Sequence, residues 1–495
     1  MSGPSRDRGR LAIGAVGLAL AAWIVYAALI VLGFESQRAA FDARAYHLVV
    51  IEGFAQSWPV ADVSDYLSAT TPGFHWLLAG AARLGASQVA LELITAGIGA
   101  LLVGMLAWWA ARESQWGLGW LLVLPLAASA YVVHAGTTVL PDNAGWLGVL
   151  AVLLLCLRPP TGLAWVAVGL AMLGLVLTRQ SHVWAAGVIV AAGWLGASGS
   201  LLPGRDVLSY KTRRTLVAIA AVLPAVGVLA LFVWVWGGLV PPTFAGQSGG
   251  AHPDVQSRLS LIAPAFILML VGLYAPFFVA WWWSGLRESW QRATVFAAAG
   301  AAIGVALALV GPSTFSLEAG REGGYWRLIQ AGHVVADRTS VVLVALSAFG
   351  GAMAGACGSA LPARRRWLLL VALAGFAAAQ IVNANTWQRY YEPFVLMLLA
   401  VASALCARGG RDNGTPGPLS EPSAVRVCRV AGPIVLALGL AGLTATTLGR
   451  ASDRDAPATS ENALNHGHPG EQSGRRVRLD SASEPHAAEG LNRHG

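Results

Sequence analysis

Two short polar stretches interrupt the apolar sequence with residue types that bind anions. They are LTRQSHVWAA, which contains Arg179, Gln180 and His182, and NTWQRYYEPF, which contains Gln388, Arg389 and Tyr390. An ionisable side chain at membrane depth is costly and normally has a functional partner. Guanidinium groups pair with phosphate oxygens in bidentate geometry, so Arg179 and then Arg389 are candidates for binding a phosphate at the lipid boundary. The alternative for Arg179 is a helix-end side chain that reaches out to water.

A group of acidic and histidine side chains lies in the segment 34–85. Its candidate residues are Asp42, Tyr46, His47, Asp62, Asp65 and His75. Asp42 closely follows the first apolar run, so its carboxylate is placed to take a proton from a hydroxyl group at the membrane surface. The alternative is that Asp42 caps the next helix, since FDARAYH is also a reasonable helix start. Asp62 and Asp65 are expected either to bind hydroxyl groups or to cap a turn.

Two further segments, HAGTTVLPDNAGW and GGAHPDVQSR, add Asp142 and His252 to the candidate residues. Orientation of a ligand and plain packing are both better interpretations of His47, His75 and His252 than metal binding. No spacing such as H-x-x-x-H accompanies these histidines. We therefore assign no metal ligands and expect no required cofactor, with a divalent metal as the minor alternative.

The composition identifies the class of protein that must position these residues. The chain has 495 residues, of which 56% are hydrophobic and only 12% charged. Its mean hydropathy is positive, which is typical of an integral membrane protein rather than a soluble domain. The net charge of +8 does not indicate a nucleic-acid partner, because the basic residues are distributed among loops between apolar segments.

A window of about 19 residues on a transfer scale identifies thirteen apolar segments. They are 11–33, 86–110, 117–134, 143–157, 162–178, 183–200, 215–236, 259–284, 292–312, 338–360, 366–383, 392–407 and 430–447. The pattern predicts an all-α polytopic membrane protein with about 13 transmembrane helices. Several segments are shorter than the roughly 20 residues of a full span, so tilted or re-entrant helices are among the expectations.

Basic residues occur in alternate loops between these segments, which is the pattern of cytoplasmic loops. The N-terminal residues 1–10 and the loops that contain Arg112, Arg158, GRDVLSYKTRR and ARRR are therefore placed in the cytoplasm. A transmembrane domain at 11–447 follows. The polar tail at 448–495 is expected to be disordered and extracytoplasmic. All candidate residues then share the extracytoplasmic face.

The first extracytoplasmic loop, residues 34–85, is long for a channel or a simple transporter. Within it, YHLVVIEGFAQSW has apolar residues at helical spacing, which predicts a helix lying in the membrane interface. A large loop with interfacial helices directly after the first span indicates a site at the outer surface of the membrane.

The order of these motifs resembles the GT-C superfamily of polytopic glycosyltransferases, and more narrowly the dolichyl-phosphate-glucose-dependent α-1,2-glucosyltransferase family. The shared pieces are DARAYH, WPVADVSDYLSATTPG and RQSHVW, in order over roughly residues 40–185. The match is looser around 246–258 and at QRYYEPF. The chain departs from the family pattern at Ala43, where many members have glutamate, and at Ser181 and His182, where the family has threonine and asparagine.

The resemblance implies a membrane hexosyltransferase that uses a polyprenyl-phosphate-sugar donor and a lipid-linked or cell-envelope glycan acceptor, with inversion. Glucose is one candidate for the sugar. Asp42 would be catalytic, Arg179 and Arg389 would bind the donor phosphate, and the other candidates would bind substrate. The abundant Ala, Gly and Arg are typical of a bacterial chain. A carrier of the decaprenyl or undecaprenyl type and a location in the plasma membrane are therefore expected.

Other classes remain open at this point. A transporter or flippase of lipid-linked saccharides is the main alternative, and it should show broken helices and a repeat between the two halves of the chain. No convincing repeat is visible, and the polar groups collect at one face. An O-antigen-type polymerase or ligase would place its long loop late in the chain, whereas here the long loop comes first. A membrane scaffold would not need arginines and carboxylates gathered on one side.

Overall fold

The structure is a computed structural model in which helices account for most of the described chain. It describes residues 4–114, 116–158, 161–196, 199–201, 205–249, 259–317, 319–383, 385–412 and 422–450. The predicted all-α class is confirmed, since the described strands comprise only two short pairs. The predicted disordered tail lies outside the described residues from position 451 onward.

The described residues between 4 and 249 form twelve α-helices. They are α1 Pro4–Val31, α2 Gln37–Asp42, α3 Val49–Ser57, α4 Gly73–Arg83, α5 Gln88–Ser114, α6 Leu124–Ala128, α7 Ala130–Thr137, α8 Asp142–Leu157, α9 Leu163–Thr178, α10 Ala185–Leu195, α11 Arg205–Trp236 and α12 Pro242–Gly249. A π-helical turn, Ala43–Leu48, joins α2 to α3, and 3₁₀ turns at Gly119–Val123 and Gln180–Trp184 precede α6 and α10.

The described residues between 259 and 450 add eight α-helices and complete the two strand pairs. The helices are α13 Ala263–Tyr274, α14 Val279–Glu288, α15 Trp290–Val310, α16 Trp326–Gln330, α17 Val341–Ser359, α18 Ala363–Ile381, α19 Glu392–Asp412 and α20 Ser423–Thr447. The strands are β1 Phe34–Glu35, β2 Val334–Val335, β3 Thr339–Ser340 and β4 Gly449–Arg450. The 3₁₀ turns Ala275–Phe278 and Gln388–Tyr390 precede α14 and α19.

Eight helical segments of the described chain are long and apolar enough to cross a membrane. The pair α6–α7 would make a ninth, although it bends by 69° at the break. The protein is therefore a multi-pass membrane protein. Each of the thirteen predicted segments coincides with a helix or a run of helices. Four of them correspond to α8, α9, α10 and α18. The first three are shorter than 18 residues, and α18 carries three consecutive arginines near its start, so the count of thirteen stays a prediction.

Burial distinguishes the central helices from those at the edge of the bundle. The apolar window of the segment Gln388–Arg408, which includes most of α19, is 89% buried, whereas that of α15 is 17% buried. Small residues bring two helices together: a Cβ on Gly300 or Gly304 of α15 would collide with the backbone of α17. Such close approach is the usual packing of membrane helices. The central position of α19 fixes the residues that precede it, 387–391, in the middle of one end of the bundle.

That end is called the cavity end, and it is marked by the antiparallel pairing of β1 with β4. Phe34 pairs with Arg450, so the exit of the first long helix and the exit of α20 lie side by side. The π-helical turn and α3 follow from β1 through α2, and α3 packs on α4 through Val50, Phe54 and Leu78. The predicted helix in this loop is therefore present.

The opposite end of the bundle collects arginines from separate loops around one carboxylate. Glu113 is buried, and its Oε1 lies 3.0 Å from Arg365 and 2.9 Å from Arg408, while its Oε2 lies 3.9 Å from Arg158. Arg364 donates to the carbonyl oxygens of Cys156 and Gly196, where α8 and α10 end with unpaired carbonyls. Loops that were predicted to share the cytoplasmic side thus share one end of the bundle. Their orientation in a membrane stays a prediction.

Candidate functional site

A cavity of about 280 Å³ opens at the cavity end. Six stretches of chain form its walls: α2, α7, the start of α8, the loop between α15 and α16, the turn before α19, and the end of α20. Its charged and aromatic lining residues are Arg38, Tyr131, His134, Asp142, Trp146, Glu322, Trp326, Trp387 and Arg389. A hydrogen bond of 2.8 Å between His134 and Thr447 connects α7 to the end of α20 beside it.

Three arginines and three carboxylates form ion pairs at or next to this cavity. Arg389 donates to Asp42 Oδ2, and Arg179 donates to Asp142 Oδ1 at 2.6 Å. Arg38 lies 3.6 Å from Glu322, which is a looser pair. Each pair joins chain segments that are far apart in sequence. Asp42, Asp142, Arg179 and Arg389, four of the predicted site residues, therefore lie in one cluster.

Two aromatic rings connect the three arginines into a row that we call the arginine–aromatic ladder. The guanidinium carbons of Arg38 and Arg389 lie 4.3 and 4.4 Å from the ring centroid of Trp387. Those of Arg389 and Arg179 lie 5.0 and 5.6 Å from the ring of Tyr390. Stacking on an aromatic face fixes the plane of a guanidinium while leaving its N–H edge available. The ladder thus presents three oriented cations along one side of the site.

Asp42 is placed by the local helix geometry rather than by a cap. It is the last residue of α2, and the π-helical turn that follows keeps the backbone helical through position 48. Its side chain makes no capping hydrogen bond, so the alternative role as a helix cap is not what the structure shows. Oδ2 accepts from Arg389, and no hydrogen bond to Oδ1 is found among the described residues. One carboxylate oxygen is therefore oriented and the other is not hydrogen-bonded to the described residues. Asp42 contacts the cavity-lining Arg389 but is not itself among the lining residues.

His47 and His75 form a buried pair beside the charged cluster. His47 Nδ1 lies 2.8 Å from His75 Nε2, and the rings stack with centroids 5.1 Å apart. Burial lowers the pKa of His47 to about 4, although the nearby Asp142 and Asp42 oppose the shift. Burial also lowers the pKa of His75 well below 6.5, with His47 contributing. Both rings are therefore neutral at pH 7.

This pair predicts loss of stability in mild acid. In the unfolded chain both histidines bind protons near pH 6.5, whereas the folded protein resists protonating His47 down to about pH 4. The free energy of unfolding should therefore fall as the pH decreases from 6.5 towards 4. Thermal unfolding in detergent between pH 7 and 4.5 measures this slope, which should be shallower for His47→Gln. His333→Gln, at an exposed position, is the control; equal slopes for both variants and wild type would contradict the assignment.

Two glutamines that were predicted to bind substrate make their hydrogen bonds within the protein. Gln180 accepts from the backbone N–H of Thr71 at 2.9 Å and donates to the carbonyls of Ala69 and Leu239. Gln388 accepts from the Tyr325 N–H at 2.9 Å and donates to Glu392 at 2.6 Å. Gln388 still lines the cavity, but both amides mainly join loops of the cavity end.

The carboxylates of the first loop have local partners. Asp62 Oδ1 accepts from the backbone and the hydroxyl of Ser64, and these bonds lower the pKa of its carboxyl. Asp65 accepts from the N–H and hydroxyl of Thr243 at 2.8 and 2.5 Å, at the start of α12. The capping alternative describes the Asp62 contact, whereas Asp65 holds the start of α12 from a distant part of the chain. Hydroxyl binding by these two residues stays a prediction. Neither residue is among those that line the cavity.

The remaining predicted residues are Tyr46, His182 and His252, and neither of the two described ones lines the cavity. Tyr46 packs edge-on against Phe244, with ring centroids 5.7 Å apart. His182 is buried against Trp146 at 4.7 Å, and no hydrogen bond to its ring nitrogens is found within the described part of the chain. His252 lies outside the described residues. Substrate binding by these three residues stays a prediction.

The largest omission of the sequence interpretation is the loop between α15 and α16. Gly320, Glu322, Gly323 and Gly324 of this loop line the cavity. Gly320 has φ of +66°, and a Cβ there would overlap the indole of Trp387, so glycine is required for the ring to sit against the loop. Arg38 was also missed. The available signal was EAGREGG, in which charged residues alternate with glycines on the same predicted face.

No group of three or more His, Cys, Asp or Glu side chains able to hold a metal ion occurs among the described residues. The expectation that no cofactor is required stays a prediction. No protein-family model, curated protein or solved structure matches this chain. The family resemblance therefore rests on the sequence motifs alone.

Proposed function

We propose that this protein is a membrane glycosyltransferase that moves a hexose from a polyprenyl-phosphate-sugar donor to a lipid-linked or cell-envelope glycan acceptor. The observation that carries the proposal is the contact between Asp42 and Arg389. It joins a carboxylate with an available oxygen to an arginine in the cavity wall. A base and an anion-binding group in contact are the minimum that transfer from a sugar phosphate needs.

The size and lining of the cavity support a sugar-sized ligand. Its volume of about 280 Å³ is near the lower limit of small-molecule sites, about 300 Å³. The indole of Trp387 and the carboxylates of Asp142 and Glu322 line it. An indole can stack on the apolar face of a sugar ring, and carboxylates accept hydrogen bonds from sugar hydroxyls. The lining therefore suits one hexose with its phosphate.

The reaction assigned to these groups is a single displacement with inversion at the anomeric carbon. The acceptor hydroxyl oxygen forms the new bond to that carbon while the bond from the carbon to the phosphate oxygen breaks. Oδ1 of Asp42 takes the hydroxyl proton. The polyprenyl phosphate leaves with the bonding electron pair, and the guanidinium group of Arg389 stabilises its negative charge. Arg179, the next cation of the arginine–aromatic ladder, adds positive charge from behind the cavity wall.

A second candidate function is a transporter or flippase of lipid-linked saccharides. The break between α6 and α7 favours it, because discontinuous membrane helices are common at transporter binding sites. At the break, the Ser129 hydroxyl donates to the buried Glu392 at 2.6 Å. Tyr274 donates to the same carboxylate at 2.8 Å. These contacts occupy Glu392, whereas Asp42 keeps an available oxygen beside the cavity, so we favour the enzyme.

Sugar transfer from a panel of labelled polyprenyl-phosphate sugars tests the proposal, with a membrane-lipid extract as acceptor. Arg389→Ala should lower transfer by about 10²-fold or more, because it removes a phosphate contact and leaves Asp42 without its partner. Arg389→Lys should recover only part of this loss, since lysine cannot make the bidentate contact. Arg83→Ala, at an exposed position on α4, is the matched control.

The transfer results separate the two candidate functions. Equal transfer by wild type and Arg389→Ala would remove this arginine from the mechanism. Wild-type protein that moves the intact donor lipid across a liposome bilayer but transfers sugar from none of the donors would favour the transporter.

A further inference from the structure

Arg38 is the most accessible cation of the arginine–aromatic ladder. Its side chain is 57% exposed, compared with 24% for Arg389 and 15% for Arg179. It lies on α2, four residues before Asp42, and it lines the cavity together with Arg389. Arg179 does not line the cavity. The two arginines nearest to a ligand there are thus Arg38 and Arg389.

Binding of an anion at the ladder requires an arginine to exchange its carboxylate partner, because three carboxylates already neutralise the three arginines. The partners differ in how closely they are held. Asp142 is hydrogen-bonded to Arg179 at 2.6 Å, and Asp42 is hydrogen-bonded to Arg389. Arg38 and Glu322 are 3.6 Å apart, too far for a normal direct hydrogen bond. An exposed ion pair of this kind contributes little stability. Arg38 is therefore the arginine that can exchange its carboxylate for another anion with the smallest loss of free energy.

We propose that Arg38 is a third anion-binding arginine. It separates from Glu322 and, together with Arg389, binds the phosphate group of a lipid-linked substrate. The inference rests on the proposed function for the identity of its ligand. Both guanidiniums lie against the same indole, Trp387, so one phosphate at the edge of that ring is within reach of both. Glu322, once released, faces the same cavity and can accept a hydrogen bond from a sugar hydroxyl.

The exchange predicts opposite effects for the two members of the pair. Arg38→Ala removes a charge-assisted hydrogen bond, and the affinity for farnesyl phosphate in detergent should fall by about 10- to 100-fold. Arg38→Lys should retain part of the affinity. Glu322→Gln removes the competing carboxylate, and the affinity should rise by about two- to fivefold. Equilibrium binding of labelled farnesyl phosphate measures all three, with Arg83→Ala as the control.

A purely structural ion pair gives a different pattern, because removing either member would weaken binding alike. Weakening by both Arg38→Ala and Glu322→Gln, or unchanged affinity in Arg38→Ala, would overturn the inference. Equal wild-type affinities for farnesyl phosphate and farnesol would do the same, because no phosphate would then be recognised. Inorganic phosphate that binds as tightly as farnesyl phosphate would identify a free-anion site and overturn the lipid-linked ligand.

Binding and catalysis are measured separately, so the two proposals can fail independently. Weaker farnesyl phosphate binding by Arg38→Ala supports the arginine assignment even where no donor transfers its sugar. Sugar transfer by the wild type, combined with unchanged farnesyl phosphate affinity in Arg38→Ala, would leave the proposed function standing and overturn the role of Arg38.

Discussion

Asp42→Asn is expected to lower sugar transfer by about 10²–10⁴-fold, the usual contribution of a general base. Asparagine has nearly the same shape and can still accept from Arg389, so the fold and donor affinity should change little. It cannot take a proton from the acceptor hydroxyl. Steady-state transfer rates, measured beside donor binding by the same protein, check the expectation.

A second carboxylate of the same loop, Asp62, provides the control for the transfer rate of Asp42→Asn. Asp62→Asn changes an exposed carboxylate of the same loop, whose hydrogen bonds within the described part of the chain are to Ser64 alone. Its transfer rate should stay close to that of the wild type. Wild-type rates for Asp42→Asn would contradict the base assignment. Loss of donor binding along with activity would indicate that Asp42 acts mainly by holding Arg389 in place.

Of the substitutions discussed, Glu113→Gln should lower the free energy of unfolding most. Glu113 lies at the end of the bundle opposite the cavity. Three arginines, Arg158, Arg365 and Arg408, surround this buried carboxylate. Removing one partner of a buried ion pair costs about 3–5 kcal/mol, and here the arginines are partly exposed, so about 2–4 kcal/mol is expected. Glutamine preserves the shape of the side chain but removes the negative charge that the three guanidinium groups share.

The unfolding free energy of Glu113→Gln in detergent measures this effect. Glu52→Gln, at an exposed position on α3, is the control and should match the wild type. Recovery of stability by Glu113→Asp would show that the negative charge is what the cluster requires. An unchanged unfolding transition for Glu113→Gln would mean that other partners of the arginines supply the charge compensation.

The apolar spans and the end at which the polar residues gather could be predicted because both depend on composition along the chain. Asp42, Asp142, Arg179 and Arg389 were each predicted for one site, and the structure brings them together. Their pairing could not be predicted, since nothing local determines whether Arg389 meets Asp42 or Asp142. That choice depends on where the buried α19 places its first turn.

Other features depend on tertiary contacts that leave no local pattern. Gln180 and Gln388 looked like ligand-binding amides, but several of their partners are backbone atoms of distant loops. The segment 117–134 looked like one span, whereas the chain breaks at Ser129, where the hydroxyl binds Glu392. The loop containing Glu322 was passed over because glycine-rich connections between spans are common and only its contact with Trp387 distinguishes it.

The pairing of β1 with β4 has a consequence for biosynthesis. Membrane helices are inserted as the ribosome delivers them, and β1 is delivered shortly after the first helix. Its partner, β4, follows α20, so more than 400 residues are synthesised between the two strands before they can pair. Asp42 likewise can pair with Arg389 only after a further 347 residues have been synthesised. The contacts of β1 with β4 and of Asp42 with Arg389 therefore form late in synthesis, whereas Thr71 and Asp65 of the same loop can already pair with Gln180 and Thr243.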